Sequence, residues 1–235
     1  MPQHVKRIKI DRKALRQPDE FQTLSAQAGT WVREHQTVAI GVVAAAVVLV
    51  AVLALAGRVR ASRTQAAAVD FRAAHDLFEA GKYPEAAKGF GDLADAYPST
   101  SFGTLGTLYR GHALLRQGDA AGALGAYQNF LASAVASPDL RQEALMGLAA
   151  AREKSGDTAS AREAYAQAAE AAGPFRTDAL LAGARLDEAQ GRTAEAHAVY
   201  EQLLKGDVDP ELRALLTTKV AAGAARPAPP AAPAP

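Results

Sequence analysis

The chain has 235 residues, no cysteine and a formal net charge of +1. The lack of cysteine excludes disulfide bonds, thiolate zinc sites and a lipid-modified N-terminal cysteine. The near-zero net charge hides an asymmetry, because residues 1–63 carry ten Lys and Arg against four Asp and Glu. The second half is rich in Ala and poor in Val, Ile and Thr, which predicts an all-α protein without a sheet.

The first 36 residues divide into a basic tail and an amphipathic segment. Residues 1–17 contain the run VKRIKIDRKALR, which suits an anionic membrane surface, a ribosome or a solvated arm. Over residues 18–36, apolar side chains recur at helical spacing, at Phe21, Leu24, Ala28 and Trp31. Such a stripe predicts a helix that lies in the headgroup region of a membrane.

A transmembrane helix is predicted at residues 38–56. This run of 19 residues has no charged or strongly polar side chain. At a rise of 1.5 Å per residue, it approaches the roughly 30 Å thickness of a bilayer's hydrocarbon core. Ala54-Leu55-Ala56 also has the small-x-small form of a signal-peptide cleavage site, so removal of the segment is an alternative. The long N-terminal region and the length of the run favour a retained anchor.

The charges beside the predicted span give no single orientation. Arg58, Arg60 and Arg63 follow it closely whereas only Arg33 precedes it closely, which favours a cytoplasmic C-terminal side. The N-terminal region as a whole nevertheless carries seven Lys and Arg. Long domains are translocated with little regard to such charges, so both orientations stay open on charge alone.

Residues 64–205 contain a fourfold repeat with the spacing Gly-x4-Ala-x3-aromatic. A glycine is expected to end one helix in the left-handed conformation, an alanine to let the next helix approach closely, and an aromatic ring to fill the remaining gap. The four copies are Gly81/Ala86/Phe90, Gly118/Ala123/Tyr127, Gly156/Ala161/Tyr165 and Gly191/Ala196/Tyr200. The pattern predicts stacked helix pairs that bury a continuous core.

This repeat resembles the tetratricopeptide repeat (TPR) family, whose unit is two antiparallel helices with small residues at their crossing. The resemblance implies an α-solenoid of about four helix pairs. The fourth copy departs from the pattern, because Asp187 stands where a large apolar residue is expected. Gly103, Gly106 and Gly111 fall inside a predicted helix, and we interpret them as close-packing positions.

The C-terminal region is predicted to contain a capping helix and a tail. Asp209 and Pro210 form an N-terminal helix signal, and residues 209–222 are expected to cover the last repeat with Leu212, Leu215 and Leu216. Residues 226–235, RPAPPAAPAP, are expected to be disordered or polyproline II.

No constellation of residues indicates catalysis. Nucleophile-elbow, phosphate-loop, His-Glu-x-x-His and calcium-loop motifs are absent from the sequence, and the five histidines are too scattered to predict a metal site. We therefore expect no enzyme activity, no metal, no cofactor, no small-molecule substrate and no nucleic-acid partner.

Protein binding is the predicted activity, in the groove that the first helix of each repeat lines. The resemblance places eight residues toward this groove: Phe71, His75, Phe78, Leu105, Leu108, His112, Leu115 and Met146. Repeats three and four offer charged residues instead, namely Glu143, Glu153, Asp178, Arg185 and Glu188. For each of these residues, a role in packing one helix against another is an equally good interpretation.

The order of basic tail, QPDEF element, single span and repeats resembles a bacterial family of inner-membrane TPR proteins, the ancillary subunit of the Sec translocon. This resemblance implies a cytoplasmic N-terminus, periplasmic repeats, and binding to translocon subunits and envelope chaperones. We therefore predict a single-pass membrane adaptor. The alternatives are a soluble periplasmic scaffold or chaperone released by signal cleavage, and a cytoplasm-facing structural subunit of another membrane assembly.

Overall fold

The structure is a computed structural model, and it describes residues 33–133 and 137–224. The predicted basic tail (1–17), most of the predicted interfacial helix (18–36) and the Pro/Ala-rich tail (226–235) lie outside these residues. Within the described part the chain forms helices and turns and has no strand. The helices are α1 (Gln36–Glu79), α2 (Tyr83–Ala96), α3 (Ser101–Gln117), α4 (Ala120–Ala132), α5 (Pro138–Lys154), α6 (Thr158–Glu170), α7 (Arg176–Ala189), α8 (Thr193–Leu204) and α9 (Pro210–Ala224).

The chain divides into two compact units, residues 1–60 and 61–235. In the first unit, the apolar part of α1 exposes its large side chains, from Val38 to Leu55. Its most apolar 18 residues have a mean hydropathy of 3.1 and none of them is buried, so α1 is long and apolar enough to cross a membrane. The sequence predicts the span at residues 38–56, and α1 extends beyond these residues to Glu79. One glycine, Gly57, costs about 1 kcal/mol in a helix and does not end it.

The second unit is a series of helix pairs. The part of α1 after Arg60 packs with α2, and the pairs α3–α4, α5–α6 and α7–α8 follow, with α9 packed on α8. Each helix contacts the next in the chain, and α3 also contacts α5, the first helix of the following pair. The all-helical repeat architecture expected from the sequence is thus present in the described residues.

Four turns of the same type join the two helices of each pair. Each turn glycine lies in the left-handed region, with φ of 74° at Gly81, 102° at Gly118, 87° at Gly156 and 78° at Gly191. The residue after each glycine donates its N–H to the carbonyl four residues before the glycine, at 2.8–3.0 Å. This is the Schellman arrangement, which satisfies carbonyls at a helix end. The predicted role of all four glycines is confirmed.

The predicted crossing residues are all in the core. The four alanines, Ala86, Ala123, Ala161 and Ala196, are 0% exposed. The four aromatic residues, Phe90, Tyr127, Tyr165 and Tyr200, are at most 5% exposed. In every pair, a small residue lets the two helices approach closely, and an aromatic ring one turn later fills the space between them.

The glycines inside α3 allow close approach, as predicted. A Cβ added at Gly106 would lie 2.9 Å from the Phe90 carbonyl oxygen, and one added at Gly111 would lie 2.7 Å from Tyr127 Cε1. A Cβ at Gly103 would collide with the Tyr97 carbonyl. A side chain at these positions would require the Tyr97 backbone, the Phe90 backbone or the Tyr127 ring to shift.

Repeat four is closed by a charged network around Asp187. Its side chain is 4% exposed. Asp187 Oδ1 accepts from Arg162 Nε at 2.6 Å and from Arg192 Nε at 2.8 Å and Nη2 at 2.5 Å. Burial raises the pKa of the Asp187 carboxyl, but the hydrogen bonds from the two arginines outweigh it, so the pKa lies below its ordinary value. Repeats one and two have Leu77 and Leu114 at the same place.

The capping helix α9 begins as predicted. Asp209 Oδ1 accepts the backbone N–H of Leu212 at 2.9 Å, which is an N-cap hydrogen bond. Leu216 is 0% exposed and packs in the same core cluster as Tyr200. The prediction for Leu215 is wrong, because its side chain is 54% exposed. Leu215 lies about 100° further round the helix than Leu216 and faces away from the repeat.

Candidate functional site

The candidate site is a cleft between the first helices of repeats one to three. It has a volume of about 330 Å³. Its lining comes from α1, α3 and α5, and consists of His75, Phe78, Glu79, Tyr109, His112, Leu115, Arg116 and Glu143. We refer to this set as the aromatic cleft. Its helices are those that the resemblance assigned to the groove.

Tyr109 is the centre of the aromatic wall. Its ring lies 5.6 Å from the His75 ring, 6.3 Å from the Phe78 ring and 5.6 Å from the His112 ring, between centroids. Beneath it, the Phe71 ring packs edge-on at 5.3 Å. Such edge and tilted contacts are the favourable geometries for rings that carry a quadrupole. The wall is therefore a packed unit in which α1 holds Tyr109 from α3.

A hydrogen-bonded chain fixes His112 at the floor of the cleft. The Tyr127 hydroxyl lies 2.8 Å from His112 Nδ1, and Glu143 Oε1 lies 3.1 Å from His112 Nε2. An ionised carboxylate only accepts, so His112 donates its Nε2–H to Glu143, and in that tautomer Nδ1 accepts the Tyr127 hydroxyl. Burial, followed by the charge of Glu143, raises the pKa of Tyr127. The phenol therefore stays protonated and acts as the donor.

Two carboxylates make the cleft electronegative. Burial raises the pKa of Tyr109, and the charges of Glu143 and then Glu79 raise it further. Among the described residues, the ion pairs of these carboxylates are with histidines: Glu79 lies 3.8 Å from His75 Nε2, and Glu143 lies 3.1 Å from His112 Nε2. Histidine carries a charge only when protonated, so these pairs, unlike pairs with arginine or lysine, do not provide a permanent positive charge.

The structure divides the eight residues predicted for the groove. His75, Phe78, His112 and Leu115 line the aromatic cleft. Phe71 is half-buried beneath Tyr109, and Leu105 and Met146 are half-buried outside the lining. Leu108 is 0% exposed, so its assignment to the groove is wrong and it is a core residue.

Sequence reasoning missed Glu79, Tyr109 and Arg116, and placed Glu143 among distal charges. Tyr109 lies three residues before His112 and four after Leu105, on the same helical stripe, and this spacing was a usable signal.

The charges of repeats three and four are mostly paired within the protein. Arg185 Nη2 lies 2.7 and 2.6 Å from the two oxygens of Glu153. Lys219 Nζ lies 2.7 Å from Glu188 Oε2. These contacts join one repeat to the next, so the carboxylates are compensated before any partner arrives.

Comparison with known proteins agrees with this architecture. A family model described as a tetratricopeptide repeat-like domain matches residues 30–224. The chain belongs to this family. No curated protein matches the chain at a significant level. Stacked repeats of this kind form concave surfaces, and the TPR-like fold indicates a protein–protein interaction adaptor.

Solved structures share the fold at low sequence identity. A tetratricopeptide repeat protein from Parabacteroides merdae ATCC 43184 matches with a TM-score of 0.57 and 16% identity, over 68% of this chain and 60% of its own length. A Podosopora anserina protein assigned as a kinesin light chain with nearly identical TPR-like repeats matches with a TM-score of 0.53 and 18% identity, over 66% of this chain and 83% of its own. The MamA protein matches with a TM-score of 0.52 and 15% identity, over 67% and 89%. At these identities the likeness concerns the fold alone.

Proposed function

We propose that this protein is a membrane-anchored TPR adaptor of the bacterial inner membrane, with a cytoplasmic N-terminus and periplasmic repeats. In this proposal the aromatic cleft recruits proteins to the Sec translocon or to envelope biogenesis machinery, and the protein is not an enzyme. Translocon subunits, periplasmic chaperones and client peptides are the proposed partners.

The observation that carries the proposal is the exposed apolar surface of α1. From Val38 to Leu55 the large side chains are half or more exposed. At about 25 cal/mol per Å² of apolar area, transfer of such a surface from water to lipid is strongly favourable. A helix that is apolar on all sides and uncovered by protein is typical of a membrane span. Anchoring by α1 therefore explains a feature that a soluble repeat protein would not tolerate.

The aromatic cleft supports the binding half of the proposal. It combines half-buried rings with polar groups at its rim, as recognition sites in proteins generally do. Phe78 is the best anchor for a partner, because it lines the cleft and is half-buried. Phe71 serves the fold beneath the cleft and is a poor probe of binding.

The alternative of a soluble periplasmic scaffold rests on the Ala54-Leu55-Ala56 sequence. In the structure these residues lie inside continuous helix α1. A protease that cleaves at this site would need an extended segment, so continuity of the helix favours the anchored form. Retention after alkaline carbonate washing, with an intact N-terminus by mass spectrometry, is expected for the anchor. A mature chain that begins at Gly57 would establish the alternative.

Orientation is tested by labelling a single introduced cysteine, because the natural chain has none. Gln167 is exposed on α6 and suits the substitution Gln167→Cys. Periplasmic repeats predict labelling of intact spheroplasts by a membrane-impermeant maleimide. Labelling only after lysis would place the repeats in the cytoplasm and support the structural-subunit alternative.

Partner binding is tested by photocrosslinking in membranes, with a photoreactive residue at Arg116 in the cleft and a matched control at Gln167 outside it. We expect crosslinks to defined envelope proteins from Arg116 and none from Gln167. In a Phe78→Ala background that keeps its helical content, crosslinking should fall at least tenfold, because truncation of a buried aromatic anchor commonly costs about 2 kcal/mol. Equal crosslinking from both positions, or no effect of Phe78→Ala, would reject the cleft as the binding site.

A further inference from the structure

We propose that the aromatic cleft recognises a lysine or arginine side chain of the partner segment, held between Glu79, Glu143 and the ring of Tyr109. This inference rests on the proposed function, because it presumes that the cleft binds proteins. It adds the chemistry of the residue that is bound.

Among the described residues, no arginine or lysine forms an ion pair with the carboxylates of the cleft. Among the described residues their ion pairs are with His75 and His112. His112 donates a hydrogen bond to Glu143, and an imidazole, unlike a guanidinium or an ammonium group, is not a permanent cation. A carboxylate has about four lone-pair sites, so Glu143 can accept a donor from a partner in addition to His112.

The other partly buried carboxylates of the repeats differ in this respect. Glu153 is paired with Arg185, Asp187 with two arginines, and Glu188 with Lys219. A cation from a partner would compete with an existing arginine or lysine at each of these places. At the aromatic cleft it would meet carboxylates whose described partners are imidazoles, and charge complementarity is therefore greatest there.

The aromatic wall suits the same ligand. A cation within about 6 Å of the ring centroid of a tryptophan, tyrosine or phenylalanine is attracted to the π face. Tyr109 is half-buried and lines the cleft together with both carboxylates, and burial, followed by the charges of Glu143 and Glu79, raises its pKa. Phe78 and Leu115 offer apolar surface for the methylene stem of a lysine or arginine.

The positive groups near the cleft do not make its net charge positive. Arg116 lines the cleft and opposes two carboxylates, so the lining has a formal charge of −1 with neutral histidines. Lys154, on α5, donates to the carbonyl oxygen of Leu115 at 3.1 Å and so satisfies the C-terminal end of α3. An acidic ligand would meet one arginine at the cost of two like charges.

The test uses the full chain in detergent and short fluorescent peptides of Ala, Ser and Leu with one central variable residue, either Lys, Arg, Gln or Glu. We expect the Lys and Arg peptides to bind about tenfold more tightly than the Gln peptide, by fluorescence anisotropy. The double variant Glu79→Gln, Glu143→Gln should lose this preference, because amides keep the shape and the hydrogen-bond acceptor but not the charge. Glu163→Gln, at an exposed carboxylate on α6, is the matched control and should keep it.

Each outcome decides between the inferences. Equal binding of the Lys and Gln peptides would overturn the cation site and leave protein binding in place. Tighter binding of the Glu peptide, with loss of that preference in Arg116→Gln, would do the same. Crosslinking from Arg116 without binding of any peptide would do the same. Absence of both crosslinks and peptide binding would reject the proposed function as well. If the double variant loses its thermal unfolding transition, Glu79→Gln alone decides, because Glu79 is exposed and its partner His75 is solvent-accessible.

Discussion

The charged core of repeat four makes a quantitative prediction. Asp187→Asn keeps the size of the side chain but removes the charge that accepts three N–H groups from Arg162 and Arg192. A hydrogen bond to a charged group contributes about 1.5–3 kcal/mol, and removal of one partner from a buried ion pair costs about 3–5 kcal/mol. The arginine side chains are 43% and 36% exposed, so both can be rehydrated. We therefore expect a loss near 2–3 kcal/mol.

Amide hydrogen exchange on the repeat unit, residues 61–235, can measure this loss locally, since repeat proteins open in parts. Protection in α7, α8 and α9 should fall roughly 30- to 150-fold, because 1.4 kcal/mol corresponds to a factor of ten. Protection in α2 and α3 should change little. Asp187→Leu is the informative companion, because it restores the apolar residue of repeats one and two and should cost less than Asp187→Asn.

The pH dependence follows from the lowered pKa of Asp187. A carboxyl whose folded pKa is depressed contributes stability above its unfolded pKa of about 3.9, and this contribution is lost as the pH falls through the folded value. The difference between the natural chain and Asp187→Asn should therefore be complete at pH 6 to 7 and shrink below about pH 4. A difference in protection under threefold at neutral pH, or one that grows on acidification, would refute the argument.

Four further substitutions, with one control, test the packing. Ala123→Leu and Ala161→Leu should each destabilise residues 61–235 by about 1–3 kcal/mol in urea unfolding, because both sites are completely buried; unchanged midpoints would contradict the assigned crossings. Gly118→Ala should cost about 1–2 kcal/mol at φ of 102° although its Cβ would meet no atom within 4 Å, and a neutral result would show that the turn relaxes. Asp209→Ala should cost about 1 kcal/mol through loss of the cap and expose α9 to exchange, whereas exposed Leu215→Ala should stay within about 0.5 kcal/mol as its control.

The repeat architecture could be predicted from the sequence because its determinants are local. A glycine, an alanine five residues later and a ring four residues after that specify a turn and a crossing within one helix pair. The fourfold recurrence then made the stacking evident. The charged closure of repeat four could not be predicted, because Asp187 is bound by Arg162, 25 residues earlier in the chain, and no pattern of spacing links them.

The candidate cleft was predicted less well, for a reason of helix geometry. Helix α3 carries apolar residues on several faces, so the hydrophobic pattern does not show which face lines the cleft. The side-chain direction rotates by about 100° from one residue to the next, so an error of one position changes the face. An error of one position assigned Leu108 to the groove and overlooked Tyr109. The same geometry separates Leu216 from Leu215.

The polar contacts between repeats limit which repeats can be neighbours in the array. Three successive junctions each carry a different pair at nearly the same sequence separation: His112 with Glu143 at 31 residues, Glu153 with Arg185 at 32, and Glu188 with Lys219 at 31. A repeat that was duplicated, deleted or moved would change the partner of at least one of these side chains. Although the units share one backbone plan, they are not interchangeable modules, and insertion of a copy would require compensating changes on both sides.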